Sequence, residues 1–306
     1  MTGVDLFCGL GGFSYGMRAA KIRPVLGVDA WQDAVDAYAH NFPSAEAVRG
    51  DLFDPTFRKK LVERWIDRAD VVTGGPPCQA WSVLNLYSEL GYDDGPVEFV
   101  KLAVALRPRV IIMENVRQVG RRESTLGAMA EALKLGGYSF EHGTVDSSHH
   151  GVAQSRKRFY LVAVSAAASV AVLASLRRAP LVSPKDVLAP PAEESRLGRS
   201  TALKIGTSRR WKNSYRVLDE ERATPAVTTR FNDPVSWPVR KGADGYYKVS
   251  IADALRLQGL PDDANLAKSK QSSCKLVGNA VVPAITRDIL ASLFSDATPK
   301  PKPWIA

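Results

Sequence analysis

Val71-Val72-Thr73-Gly74-Gly75-Pro76-Pro77-Cys78-Gln79-Ala80-Trp81-Ser82 is the stretch on which the reading of this chain turns. β-branched apolar residues run into a Gly-Gly-Pro-Pro turn, and a lone cysteine follows. A strand that stops there presents its next side chains at the carboxyl end, where open α/β sheets bind ligands. Two prolines stiffen the backbone ahead of the sulfur. A single cysteine in a turn is by default a small structural residue. Cys78 gains a chemical role only if other strand ends converge on it.

The flanking pattern supplies such ends. Val4 to Phe7 reads as a buried strand, Cys8-Gly9-Leu10-Gly11-Gly12 as a glycine turn and Phe13 to Ala20 as a helix. Pro24 to Asp29 is a second strand ending on a carboxylate, and Ala30 to His40 a helix. Val48 to Leu52 marks a third strand end with Asp51, followed by a helix over Phe57 to Ile66. Asp70 to Thr73 is the fourth strand, Phe99 to Leu106 a helix, and Val110 to Met113 a fifth strand ending at Glu114-Asn115. Leu126 to Leu135 is a helix stopped by Gly136-Gly137, and Ser139–Val145 with Arg158–Val164 reads as a closing strand pair. Alternating strands and helices predict a parallel sheet with helices on both faces.

Composition narrows the class. The 306 residues, 45% hydrophobic, suffice for one large domain and a smaller one. The net charge is +9, and residues 166–256 hold sixteen Lys/Arg against nine Asp/Glu. A basic excess confined to one region points to a polyanionic partner. Cys8, Cys78 and Cys274 are too few and too scattered for a disulfide framework or a zinc site, which predicts no metal and a reducing compartment. The N-terminus lacks a basic leader, and the longest apolar stretch, Leu161 to Leu176, is short for a membrane span. A cytoplasmic protein without a membrane segment is expected. Past residue 166, prolines punctuate a loop-rich stretch with strand-like pieces at Ala226–Thr229 and Tyr246–Val249. Helical signals return at Ile251–Leu257 and Ala284–Phe294.

The strand ends suggest a chemistry. Gly9-x-Gly11-Gly12 departs from the dinucleotide fingerprint, since Ser14 stands where its third glycine belongs. The turn suits a nucleoside, with Asp29 placed for ribose hydroxyls and Asp51 for an exocyclic amine. Cys78 and Glu114 end neighbouring strands and point into one cleft. A thiolate beside a carboxylic acid suits attack on an electron-poor ring that the acid protonates. In Gln154-Ser155-Arg156-Lys157-Arg158, alternation puts Arg156 and Arg158 on one face, able to clamp a phosphate or a base carbonyl.

In this order the motifs resemble those of the DNA (cytosine-5) methyltransferases, over residues 4 to about 290. Asp5 to Phe13 is similar to the first, cofactor-binding motif and Pro77-Cys78-Gln79 to the nucleophile motif. Glu114-Asn115-Val116 is similar to the base-binding motif and Gln154-x-Arg156-x-Arg158 to the eighth. Arg222 to Thr228 resembles the ninth and Gly278 to Pro283 the tenth. The resemblance implies a Rossmann-like class I S-adenosyl-L-methionine-dependent α/β sheet plus a small loop-rich target-recognition domain. It implies a large domain over 1–165, a small domain over 166–256 with target recognition at about 166–221, a return to the large domain over 257–295, and a disordered tail over 296–306.

It further implies catalytic Cys78, Glu114, Arg156, Arg158 and Asn115. Cys78 attacks C6 of a flipped-out cytosine and Glu114 engages N3 and the exocyclic amine. Arg156 holds the base carbonyl, Arg158 supports the site, and Asn115 orients the Pro77-Cys78 loop. S-adenosyl-L-methionine, released as S-adenosyl-L-homocysteine, is expected at Asp5, Phe7, Gly9, Leu10, Gly11, Gly12, Asp29, Ala30, Asp51, Leu52, Pro77, Asn279 and Ala280. Residues 79–98 are expected to form a mobile loop that closes on DNA. Double-stranded DNA is the expected partner of a monomer, met by Gln79, Ser82, Arg209, Arg210, Trp211, Lys212 and Arg216; a cognate restriction endonuclease is compatible. The recognition segment is short and lacks Gln, which suggests a short recognition site. The chain departs from the family pattern at Ala30, where an aromatic is usual after the acid, and at His149-His150 before Gly151, read as structural. A tRNA methyltransferase of the same fold and a DNA-binding pseudoenzyme are the rival readings.

Overall fold

A computed structural model describes residues 1–77, 95–166, 170–176, 178–198, 216–234 and 236–294. Cys78, Gln79, Ser82, Arg209, Arg210, Trp211 and Lys212 therefore lie outside the described residues, as do the tail and most of the expected closing loop.

Seven strands make the central sheet. They are β1 (Thr2–Leu6), β2 (Arg23–Asp29), β3 (Glu46–Arg49), β4 (Val71–Gly74), β5 (Val110–Val116), β6 (Tyr138–Asp146) and β8 (Lys157–Ser165), in the order β3-β2-β1-β4-β5-β8-β6. The first five run parallel. β8 is antiparallel to both β5 and β6 and slots between them, so the sheet is mixed and the expected closing pair is its far edge.

Strand alternation decides which helices cover which face. Val4, Leu6, Val72, Ile111, Met113 and Leu161 turn toward α3 (Pro55–Trp65), α4 (Gly95–Ala105) and α5 (Glu123–Leu135). Val71, Val110, Ile112, Tyr160 and Val162 turn the other way. They meet α1 (Gly12–Ala19) and the last helix, α9 (Pro283–Phe294). Each buried Val, Leu or Ile contributes about 1.5–3 kcal/mol relative to exposure.

Helix starts follow local chemistry. Asp54 caps α3 by accepting from Thr56 N, with Pro55 at its first position. α4 begins at Gly95, earlier than the expected Phe99 and inside the stretch assigned to the mobile loop. α2 (Gln32–Asn41) begins after Trp31 instead of at Ala30.

The C-terminal segment packs back onto α1. A Cβ on Gly16 would sit 2.6 Å from the Pro283 carbonyl oxygen, and one on Gly12 would sit 2.3 Å from that of Val281. Only glycine lets the two backbones approach so closely. α8 (Lys270–Asn279) carries no clear apolar stripe and was not anticipated; its readable signal is Ser269, whose Oγ accepts from Ser272 N. Residues 270–294 are apolar enough in composition to cross a membrane, but two thirds of that window is buried in the protein, as core helices are.

Between these elements lie short pieces: β7 (Gln154–Ser155), α6 (Pro184–Val187), β9 (Thr224–Pro225), which pairs with β7, β10 (Arg240–Lys241), β11 (Tyr246–Tyr247) and α7 (Ile251–Gln258). The strand expected over Ala226–Thr229 is instead irregular backbone. Its polar groups are claimed by side chains, since Val227 N donates to Gln154 Oε1 and the Val227 carbonyl accepts from Arg156. The buried Arg240 anchors this region through Asp253 at 2.9 Å and Glu220 at 3.3 Å.

Candidate active site

Three consecutive parallel strands end on residues that the sequence singled out. β1 leads into the turn Phe7 to Gly11, which contains three left-handed residues: Phe7 (φ 57°), Gly9 (φ 52°) and Gly11 (φ 93°). For a phenylalanine that conformation is strained, and strain of this kind concentrates at functional turns.

The glycines divide the work. A Cβ on Gly11 would lie 2.2 Å from the Phe42 ring, and one on Gly12 would strike Val281, so both serve packing. A Cβ on Gly9 would meet no atom within 4 Å. Gly9 therefore borders open space, an approach a nucleoside could use. At its rim, Asp29 accepts from Gly9 N at 3.0 Å and Trp31 N at 2.9 Å. Burial raises its carboxyl above the usual range, opposed by those amides. Ala30 and Asp51 are exposed near the same edge, and Asp51 turns back onto Phe53 N.

Two expected cofactor residues do not address this space. Asp5 is fully enclosed. It accepts from Ser14 N and Oγ and from Thr73 Oγ1, fastening α1 and β4 beneath the turn. Desolvation pushes its carboxyl up to about 7. Leu10 points into the cluster formed with Cys8, Tyr15 and Phe42. Asp5 and Leu10 thus shape the turn from behind: the strand pleat directs Asp5 inward, and the turn itself folds Leu10 onto Tyr15 and Phe42. Leu52 is likewise buried and Phe7 packs on Phe53 with ring centroids 5.7 Å apart. Asn279 is exposed at the end of α8 and Ala280 is buried, just before the Val281 that Gly12 receives.

The reacting end lies at β4 and β5. Asn115 Nδ2 donates to the Pro76 carbonyl at 2.9 Å. The described backbone reaches Pro77, one residue short of Cys78. Glu114 is 7% exposed. Its Oε1 forms an ion pair with Arg158 Nε at 3.3 Å and has no hydrogen-bond donor among the described residues. Burial raises the Glu114 carboxyl, and the nearby Arg156 and Arg158 charges oppose that rise. A buried, unpartnered carboxyl oxygen is costly to the fold alone and calls for an explanation.

The two arginines sit in different surroundings. Arg156 is buried, and its Nη1 donates to the carbonyls of Val227 and Gly278 at 2.9 and 3.2 Å. It stitches the segment 222–228 to α8, while its buried Nε has no hydrogen-bond partner among the described residues. Burial and Arg158 pull it down to about 10, so it stays charged at neutral pH. Arg158 is the one beside Glu114, half-buried at the edge of an open cleft. β-alternation places both on one side, but depth along the strand separates them. Gln154, which the motif reading left without a role, is fully buried and joins Arg156 in holding Val227. His150 pairs with Asp288 of α9 at 2.8 Å, a structural bond. Arg216 is exposed at the border of the described region. Among the described residues no group of three or more His, Cys, Asp or Glu could hold a metal ion.

Sheet order and strand-end residues together define a Rossmann-like methyltransferase fold. Residues 1–185 match the model of the C-5 cytosine-specific DNA methylase family, and the chain belongs to that family. It is 35% identical over 167 residues to the type II methyltransferase M.HgiDI of Herpetosiphon aurantiacus, covering 53% of this chain and 52% of that protein. It is 27% identical to M.AplI of Arthrospira platensis, covering 97% of this chain and 87% of that one. The Entamoeba histolytica methyltransferase EhMeth shares the fold with a TM-score of 0.77 at 14% identity, over 97% and 99% of the two chains. The chain spans about half the length of several curated relatives it matches.

Proposed function

We propose that this chain is a DNA cytosine-5 methyltransferase that acts on a flipped-out cytosine at a short recognition site. The observation that carries the reading is Glu114: a buried carboxyl, ion-paired with Arg158, whose Oε1 has no hydrogen-bond donor among the described residues, at the strand end beside the one leading to Cys78. An acid whose neutral form is favoured by burial can hydrogen-bond cytosine N3 and lower the electron density at C6.

The base must leave the duplex for C5 and C6 to be reached. The Cys78 thiolate then forms a bond to C6, and Glu114 delivers a proton to N3 as the ring electrons shift toward C5. Gly9, Asp29 and Asp51 would hold the nucleoside of S-adenosyl-L-methionine, which would supply the methyl group for C5 and be released as S-adenosyl-L-homocysteine. The open space at Gly9 fits such a nucleoside. Loss of the C5 proton to a base restores the double bond and expels the Cys78 thiolate, and N3 returns its proton to Glu114. Arg158, not Arg156, is the arginine for the base carbonyl. Asn115 holds the Pro76 carbonyl and with it the turn ahead of Cys78.

Residues 1–165 and 257–295 are proposed as the catalytic domain and 166–256 as the small domain. A cytoplasmic monomer that protects DNA alongside a restriction endonuclease is the matching physiology. The test is methyl transfer from labelled S-adenosyl-L-methionine to duplex DNA and to tRNA, with bisulfite sequencing of the DNA product. Transfer to duplex cytosines at one short motif is expected. Transfer to tRNA alone, or none to either, would overturn the reading.

A further inference from the structure

An open cleft of about 380 Å³ lies next to Glu114, walled by Val116, Arg117, Gln118, Ser155, Lys157 and Arg158. β5 and β8 pair antiparallel with Val116 opposite Arg158, so the walls are two adjoining strand ends. Arg158 is shared, because its Nε lies 3.3 Å from Glu114 Oε1.

The cleft is short of negative charge. Three cations face two carboxylates: Glu114 near Arg158, and Asp146 at 3.7 Å from Lys157. Asp146 is already engaged by Ser148 N, Ser148 Oγ and Ser155 Oγ, which with Lys157 hold its carboxyl below the usual range. Among the described residues Arg117 has no carboxylate within ion-pair distance. Arginine and lysine only donate hydrogen bonds, so the complementary ligand is an anion with several acceptor oxygens. Arg117 and Lys157 are exposed at the rim while Glu114 is buried at the wall. A nucleotide whose base reaches Glu114 has its sugar and phosphates trailing outward past that rim.

We propose that this cleft receives a DNA backbone phosphate flanking the flipped nucleotide, with Arg117 and Lys157 as its contacts. The inference rests on the proposed reaction. It adds a second DNA footprint, at the ends of β5 and β8, to the one expected in the basic run at 208–216.

The test uses the full chain with Arg117→Ala, Lys157→Ala and both together, and Arg117→Lys as the conservative control. Duplex-DNA affinity is measured with S-adenosyl-L-homocysteine present, from about 50 to about 300 mM salt, where each phosphate contact contributes about 0.9 to the log–log slope. Each alanine variant is expected to bind several-fold more weakly, equally on any sequence, with a smaller slope; Arg117→Lys keeps the slope. A double variant with wild-type affinity and slope would overturn the proposal, as would a loss confined to tRNA binding. Inorganic phosphate at matched ionic strength should leave the difference intact; erasing it would assign the cleft to free phosphate instead. A wild-type chain that binds no duplex DNA fails the underlying reaction, an outcome distinct from variants that match a DNA-binding wild type.

Discussion

Asn115 Nδ2 donates to the carbonyl of Pro76 at 2.9 Å, joining the end of β5 to the turn that leads out of β4. The bond is buried, and it spans the two strand ends that carry Glu114 and precede Cys78. Neither proline at 76 or 77 can donate from its own nitrogen, so this side-chain bond is how the turn is fastened to its neighbour strand.

Asn115→Ala leaves a buried carbonyl unsatisfied, at a cost of about 1–3 kcal/mol. A small misplacement of reacting groups costs about a hundredfold in rate. Turnover on duplex DNA is expected to fall by about that factor, while calorimetric binding of S-adenosyl-L-methionine stays near wild type. Equal turnover would show that the bond does not position the turn.

Arg156 and Arg158 should separate in thermal unfolding. Arg156→Met strips the Val227 and Gly278 carbonyls of their donor. Charged hydrogen bonds contribute about 1.5–3 kcal/mol each, so a marked drop in Tm is expected. Arg158→Met should leave Tm within a few degrees and cut kcat strongly. The opposite pattern would restore the order of roles expected from the motif.

The motif placed Arg156 and Arg158 near one another, and the structure gives them different surroundings. Alternation through Gln154–Arg158 put 156 and 158 on one side, and it carried no information on which would be capped by segments 71 and 122 positions away. Asp5 is a similar case: its place in the motif was legible, its burial beneath the turn was not. The sheet itself was legible because period-2 burial and glycine turns are local signals. The strand expected at 226–229 failed because side chains of Gln154 and Arg156, remote in sequence, took over its backbone groups. α8 was missed because its stripe is weak and its cap, Ser269, is a single residue.

Gly9 and Gly12 should differ in kind. Gly12→Ala drives a methyl against the Val281 carbonyl and is expected to destabilise the packing of α9 on α1, read as a lower Tm. Gly9→Val has room for its side chain, at the strain cost of a positive φ, about 1–2 kcal/mol. Its main effect should be weaker cofactor binding, by tenfold or more. Unchanged cofactor affinity in Gly9→Val would remove the nucleoside from this turn.

Asp5 makes stability fall as pH rises. Its carboxyl moves from 3.8 to about 7 on folding, so the fold binds that proton more tightly than the unfolded chain. The associated stability is complete below about 3.8, declines through the window and is lost above about 7. The size is on the order of 4 kcal/mol. Asp5→Asn should flatten Tm between pH 4 and 7; an unaltered profile would place the pH dependence elsewhere.

The central claim is a covalent bond between Cys78 and cytosine C6. On duplex DNA carrying 5-fluorocytosine, C5 has no proton to lose, so elimination stalls after methyl transfer. Denaturing gels and peptide mapping should then show a DNA adduct that is stable, depends on S-adenosyl-L-methionine, maps to Cys78 and is absent in Cys78→Ser. No adduct on DNA that the enzyme otherwise methylates, or an adduct that persists in Cys78→Ser, would contradict the account.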